Sequence, residues 1–340
     1  MPDPISDLEA MQTSDAEQRL LNPRQAIAID LPPDNEATAN DVFFVMLDDR
    51  TLAVWKPLGG VDPITAAAYG HTPADTAINE AAAWQVAKRL GEPFTELVPT
   101  AVWRELPNVR ELLIEANPKR HPRPEDVYND NYDRGVLIEY VPGHPNLEPF
   151  TAQFAVQASD AALFDALIGQ QDRHTTNFRW DEGTERLHLI DNGFAFPSAS
   201  APSADSVFLQ WRSANNRMGL NEMLPNIGER RADERAALEH LQRSGALAEV
   251  GGLLRDDRGA CLLDRCQTML DTGRLLPFGD FGQPRTAPNT TTLSAEAREA
   301  LDLTRMASPR PAREGLTSPP TQARPSTGTD PPSPHRRPQR

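Results

Sequence analysis

The sequence predicts an α+β fold in which an antiparallel sheet with one helix is followed by a mainly helical half. Two observations indicate this order. Short apolar runs fill the chain up to residue 141, whereas later apolar residues recur at intervals of three and four. Strands that come first and helices that come afterwards are typical of α+β proteins, either as two lobes or as two separate domains. From residue 283 onward Pro, Ser, Thr and Arg dominate, which predicts a disordered tail.

Composition and charge divide the chain of 340 residues further. We assign residues 1–25 to an N-terminal extension, 26–143 to the sheet lobe and a hinge, 144–282 to the helical lobe, and 283–340 to the tail. The tail has nine Arg and five acidic residues, whereas residues 1–282 have 25 basic and 44 acidic ones. Because so acidic a body is repelled by polyanions, neither nucleic acid nor an anionic lipid surface is an expected partner.

The location of the protein is indicated by three features. No run of 18 apolar residues occurs, so no membrane span is expected. The N-terminal residues are acidic and lack an apolar core, which argues against a secretory signal. Cys261 and Cys266 have the spacing of neither a zinc site nor a disulfide framework, so we expect buried free thiols. A cytoplasmic protein is therefore predicted.

The first lobe is predicted to contain strands and one long helix. Asp48-Asp49-Arg50 forms a tight turn between two apolar runs, which predicts an antiparallel hairpin. Apolar residues at helical spacing predict the helix at 77–90. The strands are predicted at 26–30, 41–47, 51–56, 99–104, 110–115 and 135–141, with a polar loop at 117–134.

The second half is predicted to be helical around one short strand. Residues 154–170 place aromatic and aliphatic side chains on one helical face. The run 187–190 has the alternation of a strand and ends on the turn Asp191-Asn192-Gly193. Further helices are predicted at 206–217, 231–243, 246–254 and 260–270, with a short helical patch at 294–305 in the tail.

The residues that point to chemistry lie around this turn. Asp172, Asn177 five positions later, and Asp191 after the short strand are the polar groups that phosphoryl transfer requires. Asp172 would orient or deprotonate an acceptor hydroxyl, while Asn177 and Asp191 would hold Mg²⁺ against the ATP phosphates. His174 is a candidate to assist proton transfer, with a purely structural role as the alternative.

A lysine and a glutamate upstream fit the same chemistry. Lys56 ends the predicted strand 51–56, where it would reach the α- and β-phosphates of ATP. Glu80 follows 24 residues later on the predicted helix and would hold Lys56 by an ion pair. Either residue alone is typical of a protein surface; their order relative to Asp172 makes them site candidates.

The nucleotide itself would be held by backbone groups. The strand 135–141 runs into a Pro-Gly turn, where three residues would bind adenine: Glu139, Tyr140 and Val141. Thr38, in the polar loop 31–40, is a candidate phosphate contact. The first glycine is Gly59, so no glycine-rich loop precedes the strands, and no Walker A pattern exists. This pattern departs from that of ordinary eukaryotic protein kinases.

Together these residues resemble the catalytic domain of the phosphatidylinositol 3-/4-kinase family and the related bacterial HipA-type kinases. The run Asp172-Arg173-His174-Thr175-Thr176-Asn177 is similar to their Asp-Arg-His-x-x-Asn segment. Asp191 looks like their metal-binding Asp, with Asn192 where an aromatic residue is common, and Lys56 and Glu80 look like their phosphate-binding Lys and helix Glu. The resemblance spans about residues 26–275. It implies a protein-kinase-like fold, with ATP and Mg²⁺ as cofactors.

The acceptor is less constrained. Between Asp191 and Arg212 no basic residue occurs to receive an anionic lipid headgroup, which favours a protein Ser/Thr hydroxyl. Aminoglycoside- and choline-type kinases also use Asp-x4-Asn followed by Asp, so a small-molecule phosphotransferase is an alternative. A catalytically silent pseudokinase that serves as a binding or scaffold module is a third, favoured by the missing glycine loop. The sequence predicts no particular oligomeric state.

Overall fold

A computed structural model describes residues 4–30, 41–116, 129–145, 151–199, 204–217, 227–273 and 275. All of them belong to one compact unit, Met1–Thr292, and the second unit, Leu293–Arg340, lies outside the described residues. The predicted disordered tail at 283–340, its helical patch at 294–305 and Thr38 also lie outside them. The predicted lobe boundaries within the compact unit stay predictions.

Two short helices precede the sheet, α1 (Pro4–Met11) and α2 (Asp15–Leu21). Ser14 caps α2, because its hydroxyl accepts from the Glu17 N–H while the Glu17 carboxylate accepts from the Ser14 N–H. The structure places helices where the sequence patterns predict no secondary structure. It adds two helices to the predicted N-terminal extension.

The first part of the chain is built on a five-stranded antiparallel sheet in the order β1-β2-β3-β5-β4. β2 and β3 form the predicted hairpin, in which Phe44 lies opposite Val54. Arg50 takes a left-handed φ of 69° in the turn between them. The strands are β1 (Ala26–Asp30), β2 (Phe43–Leu47), β3 (Leu52–Pro57), β4 (Ala101–Glu105) and β5 (Arg134–Glu139).

One predicted strand is wrong. Residues 110–115 belong to a helix, α6 (Val109–Ala116), which buries Val109 and Leu113 four positions apart, about one helical turn. A short apolar run does not distinguish a strand from a helix, and the residues in this run are good helix formers. The other helices here are α3 (Pro63–Ala68), α4 (Pro73–Leu90) and α5 (Phe94–Leu97).

The second part is mainly helical, as predicted. The small antiparallel sheet of β6 (Phe178–Asp181) and β7 (Arg186–Leu189) interrupts the helices. Both cysteines lie in the last described helix and are free thiols; Cys266 is buried and Cys261 is partly exposed. The helices are α7 (Ala152–Ile168), α8 (Val207–Arg217), α9 (Ile227–Arg243), α10 (Ala246–Leu253) and α11 (Arg258–Thr272).

The core occupies both faces of the large sheet. On one face Trp55 and its strand neighbours pack against α6, and on the other α4 joins the sheet to the helical part. Every residue of α4 from Asp75 to Ala87 is buried. This is the predicted α+β arrangement, an antiparallel sheet with a long helix followed by a mainly helical part. No helix in the described part of the chain is long and apolar enough to cross a membrane.

Helix α4 is also fixed from the N-terminal side. The carboxylate of Glu17 is fully buried and accepts hydrogen bonds from Trp84 Nε1 at 2.9 Å, Gln85 Nε2 at 2.6 Å and Lys88 Nζ at 2.9 Å. Burial raises the pKa of Glu17, but the hydrogen bonds from Lys88 and Ser14 outweigh it and leave the pKa below its ordinary value. Glu17 therefore stays ionised and binds α2 to α4.

Candidate active site

The centre of the site is an ion pair of one lysine with two carboxylates. Lys56 Nζ lies 2.5 Å from Glu80 Oε1 and 2.8 Å from Asp191 Oδ1. The side chains of Lys56 and Glu80 are only 13% and 3% exposed, and that of Asp191 is 30% exposed. Three separate parts of the chain therefore meet at one partly open cluster, as the order of the motifs predicts.

Lys56 and Glu80 reach the cluster because of local structure. In β3 the two-residue period buries Ala53, Trp55 and Pro57 on one face, so Lys56 faces the other way, towards α4. Helix α4 begins with a capping box in which the Thr72 hydroxyl accepts from the Asp75 N–H and the Asp75 carboxylate accepts from the Thr72 N–H. This fixed start sets the rotation that aims Glu80 at Lys56.

The turn after β7 presents Asp191 from the other side. Asp191 takes a left-handed φ of 60°, a conformation that Asp adopts more readily than most residues. The next two N–H groups, of Asn192 and Gly193, donate to the Glu80 carboxylate at 2.9 and 3.1 Å. A Cβ on Gly193 would lie only 3.3 Å from the Thr76 carbonyl oxygen, so glycine permits the turn to pack on α4. Glu80 thus holds both Lys56 and the turn.

The three charges determine one another's protonation. Burial lowers the pKa of Lys56, but attraction to Asp191 and Glu80 outweighs it and raises that pKa above its ordinary value. Burial raises the pKa of Asp191, and Lys56 reverses this and lowers it below its ordinary value. Burial also raises the pKa of Glu80, which Lys56 opposes and repulsion from Asp191 reinforces, so that the net shift is upward. An ammonium and an ionised Asp191 therefore face each other at neutral pH.

The loop that carries Asp172 lies beside this turn. Asn177 Nδ2 donates to the Asp172 carbonyl oxygen at 2.6 Å, and the Ile190 N–H donates to the Asn177 carbonyl oxygen at 3.2 Å. His174, with a side chain 49% exposed, places Nε2 3.7 Å from Asp172 Oδ2. Its Nδ1 lies 2.9 Å from the Thr176 hydroxyl, which fixes the ring. The predicted base Asp172, the candidate His174 and the predicted amide ligand Asn177 are thus brought together.

Arg173 ties the loop to the Asp191-Asn192-Gly193 turn. Its guanidinium and the Asp165 carboxylate are both 0% exposed, with Nη2 3.1 Å from Asp165 Oδ1. Nη2 also donates to Asn192 Oδ1 at 2.6 Å. Nη1 donates to the carbonyl oxygens of Asn177, at 2.7 Å, and Ile190. Asn192, which stands where the resembled kinases have an aromatic residue, is therefore a hydrogen-bond acceptor for a buried arginine.

The donor groups present fit a divalent cation of the magnesium type. Asp191 offers a carboxylate, and because Asn177 donates through Nδ2, its Oδ1 is the atom that remains to accept. Hard oxygen donors of this kind suit Mg²⁺, which keeps several ligands from water and phosphate. Among the described residues no group of three or more His, Cys, Asp or Glu is placed to hold a metal ion.

The predicted hinge lies where the chain leaves the large sheet. Glu139 ends β5, and its N–H donates to the Thr100 carbonyl oxygen at 2.8 Å. Tyr140 is 40% exposed, and its ring meets Phe44 edge-on at 5.7 Å. Val141 follows, and the chain then pairs with β6 through His144. The three hinge residues therefore bridge the two sheets, and adenine binding by them stays a prediction.

Several residues that shape the site were not foreseen from the sequence. Asp165 could have been identified from the sequence, because an acidic residue within the apolar run Leu163–Ile168 needs a buried partner. Gln170 could also have been identified, since it directly precedes the loop: its Oε1 accepts from the Gln171 N–H and its Nε2 donates to the Asp191 carbonyl oxygen. Tyr69 and His71, in the connection between β3 and α4, have no signal, because their partners are about 100 residues away.

His71 makes the stability of this region dependent on pH. Its Nε2 lies 3.3 Å from Gln171 Oε1. Burial lowers the pKa of His71 most, and repulsion from Arg258 adds to this. Gln171 and Asp75 oppose the shift, and the resulting pKa is about 4. The unfolded imidazole has a pKa of about 6.5. Neutral His71 therefore stabilises the folded state above that value, and this stability is lost as the pH falls towards 4.

We expect the free energy of unfolding to fall by about 2 kcal/mol between about pH 7 and pH 5 because of His71. Urea titrations at both pH values measure it. In a His71→Gln variant, whose side chain does not titrate, this part of the pH dependence disappears. His144→Gln changes an exposed histidine and serves as the control. If the free energy of unfolding falls by the same amount between the two pH values in His71→Gln and in the wild type, the imidazole of His71 is not buried in its neutral form.

Comparisons with known proteins find similar solved structures at low sequence identity. No protein-family model matches the sequence, and no curated protein matches it. A crystal structure of the Golgi casein kinase is 15% identical, with a TM-score of 0.42, and covers 76% of this chain and 74% of its own. A second one, with Mn/ADP bound, is 15% identical with a TM-score of 0.43, and covers 80% of each chain. A crystal structure of the Helicobacter pylori proinflammatory kinase CtkA is 13% identical with a TM-score of 0.33, and covers 71% of this chain and 91% of its own.

Proposed function

We propose that the chain is an ATP- and Mg²⁺-dependent phosphotransferase that transfers the γ-phosphoryl group to a hydroxyl. The observation that carries this proposal is the cluster in which Lys56 Nζ contacts Glu80 at 2.5 Å and Asp191 at 2.8 Å. A lysine on a strand, held by a helix glutamate and facing a metal-binding aspartate, is the arrangement that protein kinases need for activity. Its residues come from β3, α4 and the turn after β7.

Each residue then has a role. Lys56 binds the α- and β-phosphates, and Glu80 holds Lys56 in place and fixes the turn through two N–H groups. Asp191 and Asn177 would hold the metal ion, which when bound neutralises charge on the phosphates. Asp172 accepts the proton of the acceptor hydroxyl, and His174, whose Nε2 lies 3.7 Å from Asp172 Oδ2, assists the proton transfer.

The finer parts of the proposal follow the resemblance to phosphatidylinositol 3-/4-kinase-like and HipA-like kinases. Backbone groups at Glu139, Tyr140 and Val141 bind adenine, and Thr38 contacts a phosphate. The acceptor is a Ser/Thr hydroxyl of a protein, supported by the partly open Asp172–His174 pair and by the acidic body, which disfavours anionic lipids. The two free thiols agree with a cytoplasmic location.

Nucleotide binding is tested first through thermal unfolding. We expect ATP with Mg²⁺ at about 100 times the Kd to stabilise the wild type by about 2.7 kcal/mol, and ATP without metal to stabilise it less. Asp191→Asn removes the ligand charge, so the metal-dependent part of the shift should disappear. Differential scanning fluorimetry with and without EDTA separates the two parts. Asp264→Asn, an exposed carboxylate on α11, is the matched control.

Transfer is tested with γ-labelled ATP and a Ser/Thr peptide mixture. Label on peptides that Asp191→Asn does not produce supports a protein kinase, and turnover only with small alcohols or sugars supports a small-molecule phosphotransferase. Binding without any turnover supports a silent module. If the wild type shows no nucleotide binding and no turnover, the proposal is overturned.

A further inference from the structure

Tyr69 places a hydroxyl on the proposed catalytic base. Its Oη donates to Asp172 Oδ1 at 2.9 Å. The tyrosine ring stacks on Phe194, three residues after Asp191, with ring centroids 4.3 Å apart and planes inclined by 20°. The hydroxyl thus lies at the carboxylate that accepts a proton in the proposed function, and the ring lies on the segment that follows the metal-binding turn.

The fold holds Tyr69 in this position from both sides. Asp62 caps α3, which precedes Tyr69, by accepting from the Ile64 and Thr65 N–H groups. After Tyr69, Arg258 Nη2 donates to the Gly70 carbonyl oxygen at 2.6 Å, and Nη1 lies 2.9 Å from Asp75 Oδ2. The connection between β3 and α4 is therefore fixed to α11 in the helical part, and the contact between the hydroxyl and the carboxylate is part of the architecture.

We propose that Tyr69 occupies the acceptor position of the site and is a phosphorylation site of the chain's own activity, modified within the same molecule. This inference rests on the proposed function and extends it from a Ser/Thr acceptor to a tyrosine supplied by the chain. A base must lie about 2.6–3.2 Å from the hydroxyl whose proton it takes, and 2.9 Å meets this condition. A phenol, with a pKa of about 10, is also an easily activated acceptor.

The step balances with ATP as the only co-reactant. The proton of Tyr69 moves from Oη to Asp172 Oδ1, and Oη forms a bond to the γ-phosphorus. The bond from the γ-phosphorus to the bridging oxygen breaks, and its electron pair stays on the β-phosphate of ADP. Asp172 then releases the proton to solvent. The products are ADP and a phosphotyrosine, whose dianion faces the Asp172 carboxylate and is repelled by it.

The modification is measured by incubating the full chain with ATP and Mg²⁺ and mapping phosphate by tandem mass spectrometry. We expect phosphate on Tyr69. Because the transfer is within one molecule, the fraction of chains that is phosphorylated per unit time stays constant over a tenfold dilution of the protein. Tyr69→Phe removes this phosphate. Tyr132→Phe is the matched control, since the Tyr132 hydroxyl donates to Asp41 Oδ2 at 2.7 Å, outside the site. Asp172→Asn should abolish labelling but keep the thermal shift with nucleotide.

A second readout needs no nucleotide. If the hydroxyl contacts the carboxylate, Tyr69→Phe and Asp172→Ala remove the same hydrogen bond, so their effects on the unfolding midpoint are not additive in the double variant. Additive shifts would overturn the contact. Transfer by the wild type to other residues or to peptides, with Tyr69 unlabelled, would overturn the inference and leave the proposed function standing. Absence of both nucleotide binding and transfer would overturn both, even with non-additive midpoints.

Discussion

A Lys56→Met variant is expected to lose about 3–5 kcal/mol of unfolding free energy and to transfer phosphate at least about 100-fold more slowly. Methionine fills a similar volume but leaves Glu80, 3% exposed, and Asp191, 30% exposed, without the ammonium that both contact. Two neighbouring carboxylates then repel each other in a partly buried site. Urea denaturation measures the stability, and ADP release in the presence of Mg²⁺ measures the activity.

Two further variants separate the stability effect from the catalytic one. Lys88→Met breaks another Lys–Glu pair, between Lys88 on α4 and the buried Glu17 on α2. This variant should lose stability while transfer continues. Adding Glu80→Gln to Lys56→Met removes one of the two unpaired charges, so stability should recover in part while activity does not. A Lys56→Met enzyme with wild-type turnover would show that this lysine does not bind the phosphates.

Arg173→Lys is expected to be the second most damaging substitution, although it keeps the charge. The guanidinium donates to Asp165 through Nε and Nη2, and through its remaining N–H groups to Asn192, Asn177 and Ile190. Lysine has three donors where arginine has five, so at least two of these buried hydrogen bonds are lost. Each costs about 1–3 kcal/mol, which urea denaturation measures.

The consequence for function distinguishes Arg173 from an ordinary buried arginine. It acts through Asn177 and the Asp191 turn, so Arg173→Lys should weaken the metal-dependent part of the nucleotide thermal shift more than the metal-independent part. The control is Arg212→Lys, which alters the pair with Glu234 at 2.9 Å on the helical side. An equal loss of both parts of the shift in Arg173→Lys would assign it a structural role only.

The order and spacing of motifs predicted which residues meet in the site. The structure joins three of them directly, at 2.5 and 2.8 Å, and connects the rest through backbone hydrogen bonds of the loop and turn. Their chemical roles stay predictions. The five residues are Lys56, Glu80, Asp172, Asn177 and Asp191. Most strands, the hairpin and the long helices were predictable for another reason, because the periodicity of their apolar residues is local.

Features that depend on distant contacts were not predictable. Residues 110–115 have a pattern too short to separate strand from helix, and packing of Val109 and Leu113 under the sheet decides the matter. Tyr69 reaches Asp172 across 103 positions, and nothing in the local sequence distinguishes it from any other half-buried tyrosine. Glu17 pairs with Trp84 and Lys88 about 70 positions away, so an ordinary acidic residue becomes part of the core.

The buried Glu17 has a practical consequence for work with shorter forms of the protein. A fragment that begins at the first strand retains every residue of the proposed chemistry, but it leaves the Trp84 indole uncovered and Lys88 without its carboxylate. Both belong to the helix that carries Glu80. The smallest unit suited to expression, crystallisation or grafting therefore starts ahead of Ser14, whose hydroxyl caps α2, rather than where the strand pattern begins.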